Sequence, residues 1–380
     1  MSNISDAGET VIKEKQAVPK KIIIAGGGTG GHIFPAIAIA NAIKEFLPDT
    51  IFLFIGAKGK MEMDKVPKAG FVIEGLDITG FNRISLWKNI LLPYKLLVSF
   101  LQVKNIFKKF KPDAVIGVGG YSSFPVLRYA QSEGIKTFIH ESNSFAGKSN
   151  ILLGKKATKI FVATTGMQQF FPQEKIIISG NPIRTAISNS SISKAEALSF
   201  FSLNLDKITI LVVGGSLGAN SINEAVLDSL GCFEKNDLQV IWQTGKSNSA
   251  KYLSGAAHFK NVWAGEFIQE MENGYAAADL IISRAGAMAV SEICVVAKPA
   301  VLVPYPHAAE DHQTANAMQL VNAHAAVIVK DANVQKELKD VIVELSRNLG
   351  IQKTYHQNLT KLAILDADKN IAKEIINLIQ

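Results

Sequence analysis

The chain has 380 residues, of which 48% are hydrophobic and 19% are charged, and its formal net charge is +7. This composition excludes an intrinsically disordered protein, and at about 150 residues per domain the length predicts two domains. Two cysteines, Cys232 and Cys294, are too few for a disulfide framework or a Cys-rich metal site, which favours a reducing cytoplasm. Residues 1–19 carry acids and lysines without an apolar core, so we expect a flexible tail that is neither a signal peptide nor a transmembrane segment.

The first half opens with the pattern of a strand, a glycine-rich turn and a helix. Lys21–Ala25 is a strand-like apolar run, Gly26–Gly31 follows it, and a helical pattern extends from His32 to about Phe46. Later apolar runs predict further strands at 51–55, 114–118, 137–139, 160–162 and 176–178. Strands that alternate with helices predict a parallel sheet covered on both faces.

The second half repeats this arrangement. The run 208–213 precedes Gly214–Ala219 and a helix from about Ser221 to Leu230. Strands are then predicted at 240–242, 261–263, 280–283, 300–303 and 326–329. The fold class is therefore α/β, with two Rossmann-like halves at 20–183 and 184–357 separated after the turn Gly180–Arg184. We expect the C-terminal helical segment, 358–380, whose last helix starts at about Asp366, to pack back on the first half.

A basic and apolar segment covers residues 78–112. It contains no Asp or Glu, and its cations are Arg83, Lys88, Lys95, Lys104, Lys108, Lys109 and Lys111. Pro93 and the lysines interrupt every apolar run, so the segment is too broken to span a bilayer. It is typical of a surface that binds anionic lipid, and the alternative is a core helix whose lysines face water. No recognised nucleic-acid module accompanies it, so we expect no nucleic-acid partner.

The first glycine-rich turn matches the dinucleotide fingerprint Gly26-x-Gly28-x-x-Gly31. An NAD enzyme also needs a carboxylate at the end of the second strand, and here Ile51–Ile55 continues into Gly56-Ala-Lys58 without one. The turn therefore predicts only a loop whose backbone approaches a ligand. His32 begins the helix, whose positive end favours the neutral imidazole that a general base requires; the alternative is a polar residue that meets solvent.

The second glycine-rich turn predicts another anion-binding loop, to which Ser216 adds a hydroxyl donor. Arg184, across a cleft, is suited to neutralise a diphosphate without a metal ion, or else to form a surface salt bridge. Glu292 lies in an otherwise apolar segment, 285–297, and a buried carboxylate needs partners. Those partners are either the hydroxyls of a ribose or Arg284.

Two acidic groupings suggest metals but do not fit them. His307, Glu310, Asp311 and His312 match no established ligand spacing. The pair in Asp366-Ala-Asp368 directly precedes the last helix, where Asp is an ordinary cap. We therefore predict no metal site and no cofactor.

A set of motifs along the chain resembles the MurG family of glycosyltransferases. They are Gly27–His32, Gly119–Ser123, His140–Asn143, Gly180–Arg184, Gly214–Ser216, Arg284–Gly286, Ser291–Ile293 and Asp311–Asn316. With the terminal helix, the resemblance covers essentially the whole globular chain. It implies the GT-B fold, two Rossmann-like domains facing a central cleft. It also implies inverting transfer of N-acetylglucosamine (GlcNAc) from UDP-GlcNAc to the 4-hydroxyl of the muramoyl sugar (MurNAc) of lipid I, which forms lipid II for peptidoglycan.

The same resemblance implies roles for individual residues. His32 is the favoured general base, and Glu141 is its rival. The implied donor contacts are Thr29, Gly30, Gly31 and Asn143 from the first domain; Arg184 and Ser216 on the diphosphate; Ile268 on uracil; Ala287, Met288, Ala289, Val290 and Ser291 along the nucleotide-sugar pocket; Glu292 on the ribose; and Gln313, with Asn316 nearby, on the sugar hydroxyls.

The resemblance further implies a peripheral enzyme on the cytoplasmic face of the bacterial inner membrane, with other cell-wall synthesis proteins as possible partners. Leu217 and Ser142 depart from the family pattern, since glutamine is common at both positions, and this leaves individual substrate contacts open. Alternatives on the same fold are a transferase with another lipid acceptor, a UDP-GlcNAc epimerase, and a non-catalytic UDP-GlcNAc sensor.

Overall fold

The structure, a computed structural model, describes residues 19–80 and 86–379. The predicted tail up to residue 18, Arg83 of the basic segment and the side chain of Lys88 lie outside the described residues.

The first domain is built on a parallel sheet of seven strands. They are β1 (Lys21–Ala25), β2 (Ile51–Ala57), β3 (Val72–Leu76), β4 (Ala114–Gly117), β5 (Lys136–Glu141), β6 (Lys159–Val162) and β7 (Ile176–Ile178). Their spatial order is β3-β2-β1-β4-β5-β6-β7. Strand β3 was not predicted from the sequence.

The second domain repeats this plan with six parallel strands. They are β8 (Ile208–Val213), β9 (Leu238–Gln243), β10 (Val262–Gly265), β11 (Leu280–Ser283), β12 (Ala300–Leu302) and β13 (Ala326–Ile328), in the order β10-β9-β8-β11-β12-β13. The strand order reverses at β1 in one sheet and at β8 in the other, and such switch points are where open α/β sheets bind ligands. Both glycine-rich turns leave the sheets at these points, and the predicted pair of Rossmann-like domains is confirmed.

Helices cover both faces of each sheet. Those of the first sheet are α1 (Gly30–Phe46), α2 (Glu62–Lys68), α3 (Leu92–Phe110), α4 (Ser123–Ser132) and α5 (Lys148–Gly154). Those that follow are α6 (Thr185–Ser188), α7 (Lys194–Phe200), α8 (Asn220–Lys235), α9 (Ser249–Ala256), α10 (Met271–Ala277), α11 (Ala287–Val296), α12 (His312–Asn322), α13 (Val334–Arg347), α14 (Leu349–Leu362) and α15 (Ala367–Ile379). In β1, Ile22 and Ile24 enter one core and Ile23 enters the other, as the two-residue period of a strand requires.

The last helix begins near Asp366, as expected, but the first part of the segment 358–380 belongs to a separate helix. Helix α14 ends at Leu362, and its Leu359 belongs to the core of the second domain. The chain turns at residues 363–366 and begins α15, whose Ile371 and Ile375 pack in the core beneath α1. We propose the boundary between the domains at 183/184, because α6 packs against α10 and α11.

Candidate active site

A cavity of about 1220 Å³ lies between the two domains. Pockets for small ligands usually measure about 300–1000 Å³, so this one has room for a large ligand. The first domain contributes Thr29, Gly30, Gly31 and Phe34, and the second contributes Arg184, the loop Gly214–Ala219, Met288, Ala289, Glu292, Tyr305 and Gln313, among others. The predicted residues Thr29, Gly30, Gly31, Arg184, Ser216, Met288, Ala289, Glu292 and Gln313 therefore share one cavity.

Among the helices that begin at this cavity are α1, α8 and α11. None of the three has a side-chain hydrogen bond from its N-cap residue, which is Thr29, Ala219 or Gly286, among the contacts of the described chain. The first amides of a helix have no partner within the helix, and the helix dipole makes this end positive. Uncapped helix ends that face one cavity make it suited to bind an anionic group such as a diphosphate.

His32 lies in the first turn of α1, next to the cavity lining. Its Nδ1 is 3.0 Å from the carbonyl oxygen of Gly27 and 3.3 Å from the hydroxyl of Thr29. Because a carbonyl oxygen only accepts hydrogen bonds, Nδ1 carries the proton in the neutral ring. Within residues 19–80 and 86–379, no hydrogen bond uses Nε2. The arrangement leaves Nε2 able to accept a proton.

Glu141, the rival base, is surrounded by donors. Its Oε1 accepts from the backbone amide and the side-chain amide of Asn143, both at 3.1 Å. Its Oε2 accepts from the amide of Gly147 at 3.1 Å and from Asn150 at 2.8 Å. The side chain is 4% exposed. Four hydrogen bonds occupy the lone-pair sites of a carboxylate, so the contacts are those of a residue that holds the loop after β5.

Asn143, Ser291 and Asn316 lie at a contact between the domains rather than along the cavity wall. Asn316 accepts from the amide of Ser144 at 2.8 Å and donates to Asn143 Oδ1 at 3.3 Å and to the carbonyl of Ala285 at 3.1 Å. Asn181 donates to Ser291 Oγ at 3.0 Å. These hydrogen bonds connect the loops after β5 and β7 with the first turns of α11 and α12.

Arg184 and Glu292 form an ion pair at the cavity, with 3.3 Å between Nη2 and Oε1. Tyr275, which is buried, donates its hydroxyl to the other oxygen of Glu292 at 2.9 Å. Burial raises the pKa of Glu292, while the nearby Arg184 charge and the hydrogen bonds from Tyr275 and Arg184 counteract this rise. The carboxylate of Glu292 is thus held in a fixed orientation at the cavity wall.

Glu292 does not pair with Arg284, the other partner that the sequence suggested. Arg284 Nη1 instead lies 2.5 Å from Asp331 and 3.0 Å from the carbonyl oxygen of Val303, and its Nη2 lies 2.9 Å from Ser221. Asp331 follows β13 and is 47 residues from Arg284 in sequence, so the residues around Arg284 do not reveal this partner. The pairing of Glu292 with Arg284 is therefore wrong.

The remaining predicted residues differ in their exposure to the cavity. Ile268 is 2% exposed, and its amide donates to Gln243 Oε1 at 3.0 Å, while Gln243 itself lines the cavity. Ala287 and Val290 belong to the first turns of α11 but do not line the cavity. Gln313 does line it, and its side-chain oxygen accepts from the amide of Tyr305 at 2.9 Å.

The acidic groupings have ordinary surroundings. His312 Nε2 lies 3.7 Å from Glu310, and Asp368 lies in the first turn of α15, where it lines the cavity. Burial raises the pKa of Asp368. Across the described ranges, no three His, Cys, Asp or Glu side chains are grouped as a metal ion would need.

Models of known families match most of the chain. The glycosyltransferase family 28 N-terminal domain matches residues 22–162, and the family 28 C-terminal domain matches residues 209–375. A protein of Phocaeicola vulgatus is 49% identical over 361 residues, which cover 94% of this chain and 96% of that protein. It is named UDP-N-acetylglucosamine--N-acetylmuramyl-(pentapeptide) pyrophosphoryl-undecaprenol N-acetylglucosamine transferase. The chain belongs to the MurG family.

Other members of the MurG family agree with this assignment. A Bacteroides fragilis protein of the same name is 47% identical over 372 residues, which cover 97% of this chain and 98% of that protein. The crystal structure of Acinetobacter baumannii MurG superposes with a TM-score of 0.77 at 28% identity, covering 94% of this chain and all of that one. The expected GT-B arrangement, two Rossmann-like domains around a cleft, is confirmed.

Sequence reasoning missed three residues that shape the site in this MurG-family chain: Tyr275, Gln243 and Glu62. Tyr275 and Gln243 lie in segments that look like ordinary core, so only the folded structure shows that they contact Glu292 and Ile268. Glu62 left a signal, since it is a carboxylate shortly after β2, in the region where an acid was sought and not found.

Proposed function

We propose that the protein transfers GlcNAc from UDP-GlcNAc to the 4-hydroxyl of MurNAc in lipid I, with formation of lipid II. One observation carries this proposal: relatives that bear the name of this transferase are 47–49% identical over nearly the whole chain. The cavity supports it, because the first turn of α1, which carries the candidate base His32, adjoins the same space as the cationic side chain of Arg184 from the other domain.

The donor fits the second domain. We assign the diphosphate to Ser216, Arg184 and the uncapped helix starts, the ribose to Glu292, and the uracil to the backbone at Ile268. Gln313 then meets the hydroxyls of GlcNAc, and Thr29, Gly30 and Gly31 approach the donor from the first domain. Asn143, Ser291 and Asn316 support this site through the contact between the domains.

The reaction proposed is a single inverting displacement. His32 Nε2 removes the proton of the acceptor 4-hydroxyl, and that oxygen forms a bond to the anomeric carbon of GlcNAc. The bond between this carbon and the diphosphate breaks, and UDP leaves with the electron pair. Charge on the departing diphosphate is stabilised by the helix-end amides, Ser216 and Arg184, so the proposed reaction requires no cofactor.

A test of the function is release of UDP with and without a lipid I analogue. A transferase is expected to release UDP only when the acceptor is present. An epimerase would instead convert UDP-GlcNAc without acceptor, and a sensor would bind UDP-GlcNAc and release no product in either mixture. Either of these two results would contradict the proposal.

The role of Glu292 predicts a binding defect. Glu292→Gln is expected to weaken UDP binding about 10- to 100-fold, because a hydrogen bond to a charged group contributes about 1.5–3 kcal/mol. Isothermal calorimetry with UDP measures this. Glu224→Gln is a matched control, since Glu224 also pairs with a cation, Lys251, and a tyrosine hydroxyl, Tyr252, away from the cavity. Binding within twofold of wild type in Glu292→Gln would refute the assignment.

We further propose that α3 holds the enzyme at an anionic membrane surface, on the cytoplasmic face of the bacterial inner membrane. Ser99, Val103, Ile106 and Phe107 form the buried face of this helix. The opposite side exposes Tyr94, Leu97 and Leu101, followed at helical spacing by Lys104 and Lys108, which are also exposed. The turn before it exposes Trp87, Ile90 and Leu91.

This surface is typical of amphipathic helices that lie in the plane of a membrane interface. Such helices are held there by burial of their apolar side chains and by attraction of their cations to anionic lipid. Within the described part of the chain, no helix combines the length and apolar character needed to cross a bilayer. Peripheral attachment supplies access to an acceptor whose polyprenyl chain stays in the membrane.

Replacing Lys104, Lys108 and Lys109 together by alanine is expected to weaken binding to anionic vesicles at low salt about 100-fold. Each cation near such a surface contributes about 1 kcal/mol. Vesicle flotation measures the effect, and Lys336, Lys339 and Lys353 replaced by alanine in the second domain provide a control of equal charge. No binding by the wild type, or equal binding by both triple variants, would contradict the membrane proposal.

A further inference from the structure

A buried carboxylate outside the assigned site lies against the first glycine-rich loop. Glu62, the first residue of α2, is 1% exposed. Its Oε2 accepts from the amide of Gly28 at 2.9 Å, and its Oε1 accepts from the amide of Ala57, the last residue of β2, at 3.0 Å. One side chain therefore connects the end of β2 to the loop that precedes His32.

The neighbouring glycines leave room for this carboxylate. A Cβ atom at Gly27 would lie 2.4 Å from the carboxyl carbon of Glu62, and one at Gly56 would lie 2.5 Å from its Cγ. Both distances are shorter than any tolerable contact, so a side chain at either position would displace Glu62. The glycines and the carboxylate form one fitted unit.

Glu62 also completes the hydrogen bonding of the loop. The amide of Gly26 donates to Ile55, that of Gly27 donates to Gly119, and that of Gly28 donates to Glu62. The carboxylate of Glu62 thus accepts a hydrogen bond from an amide of the kind that glycine-rich loops commonly donate to a phosphate. The amides of Gly26, Gly27 and Gly28 therefore have protein acceptors, and the next amides along the chain are those at the start of α1.

The Gly27–Gly28 peptide also contacts the proposed base. The carbonyl of Gly27 accepts from His32 Nδ1, and the amide of the next residue, in the same peptide unit, donates to Glu62. A peptide unit is planar, so fixing its amide also fixes its carbonyl. The position of Glu62 therefore determines where the acceptor for His32 lies.

We propose that Glu62 is a positioning residue for transfer: it holds the Gly27–Gly28 peptide so that His32 keeps its proton on Nδ1 and presents Nε2 as the base. The inference rests on the proposed function, because it gives His32 its role in the reaction. Glu62 does not contact substrate in this account and acts only through the loop.

The kinetic test is Glu62→Gln. In this variant the NH₂ group of glutamine would face the backbone amide of either Gly28 or Ala57, and two donors cannot form a hydrogen bond with each other. The loop is therefore expected to be held less firmly. We expect kcat to fall at least tenfold and up to about 100-fold, as small misplacements of reacting groups do. The KM for UDP-GlcNAc should stay within about twofold, because most donor contacts belong to the second domain.

Asp113→Asn is the matched control. Asp113 also accepts a backbone amide, that of Lys21 at 2.7 Å, but at the opposite end of β1. Its replacement is expected to leave kcat unchanged. Gly56→Ala is a second variant, which pushes Glu62 away from the loop while the carboxylate is retained, and it should lower kcat in the same way.

Nitrogen-15 NMR of the histidine rings gives a readout that does not depend on activity, with the His32 signal assigned by its loss in His32→Gln. Wild type and Asp113→Asn should show the ring protonated on Nδ1, whereas Glu62→Gln and Gly56→Ala should show a mixture of tautomers. An unchanged His32 signal in both loop variants would overturn the positioning role. An inactive wild type with the expected signals would instead overturn the proposed function and leave the contact of Glu62 with the loop intact.

Discussion

Replacing His32 by glutamine is expected to lower kcat for transfer about 100- to 10,000-fold, the usual contribution of a general base. Glutamine can still donate to the carbonyl of Gly27, so the loop should keep its shape while the proton acceptor at Nε2 is lost. Calorimetric binding of UDP should remain at the wild-type value, because the nucleotide contacts belong to the second domain.

Glu141→Gln separates the two candidate bases. The side-chain amide of glutamine would face donors that now bond to the carboxylate, so this variant is expected to lose about 1–3 kcal/mol of stability. Below its unfolding temperature it should still transfer GlcNAc. If the residual activity of His32→Gln keeps the acidic limb of the wild-type pH–rate profile, then Glu141 is the base and our assignment is wrong.

Arg184→Ala is expected to lower kcat about 100- to 1000-fold, as the loss of one pre-organised donor to a developing charge does. The variant should also lose affinity for UDP, since the guanidinium meets the diphosphate in both the ground state and the transition state. Arg184→Lys keeps the positive charge but lacks the planar guanidinium group, so its kcat should lie between those of wild type and Arg184→Ala. Transfer by Arg184→Ala within twofold of wild type would remove Arg184 from the mechanism.

The loss of stability caused by Arg184→Ala is expected to depend on pH. Burial raises the pKa of Glu292, so the folded protein holds this proton more tightly than the unfolded chain, and the contribution of Glu292 to stability falls as pH rises from the ordinary glutamate range upward. Arg184 opposes this rise in pKa. Urea unfolding should therefore show that Arg184→Ala is destabilised more at pH 8 than at pH 5, and an equal loss at both values would contradict this account.

The central strands could be predicted from the sequence because each is a short apolar run bounded by glycine or polar residues. Strand β1 has the predicted bounds, Lys21–Ala25. Strand β3 was missed because it lies at the edge of the sheet, where Val72 is 66% exposed and the strand lacks a continuous apolar run. The start of the last helix near Asp366 could be predicted, because Asp is an ordinary cap, whereas the end of α14 at Leu362 was missed because residues 358–380 carry a helical pattern on both sides of a turn.

The site could be predicted in composition and only partly in geometry. The glycine-rich turns were found because each directly follows an apolar, strand-like run, and Arg184 was found because it follows the Gly-Asn-Pro turn at the domain boundary. The pairing of Arg184 with Glu292 joins residues 108 apart in sequence, so it depends on how α6 and α11 pack. The anchor of the first loop was missed for a similar reason: the search for an acid ended at Lys58, whereas Glu62 returns to the end of β2 from α2.

The most direct test of the central claim is transfer of labelled GlcNAc from UDP-GlcNAc to a lipid I analogue with EDTA present throughout. We predict labelled lipid II analogue at the rate measured without chelator, because the protein's own donors stabilise the departing diphosphate. Absence of product from a protein that still binds UDP would contradict the assigned transfer, and product that disappears only with EDTA would contradict its independence of metal ions.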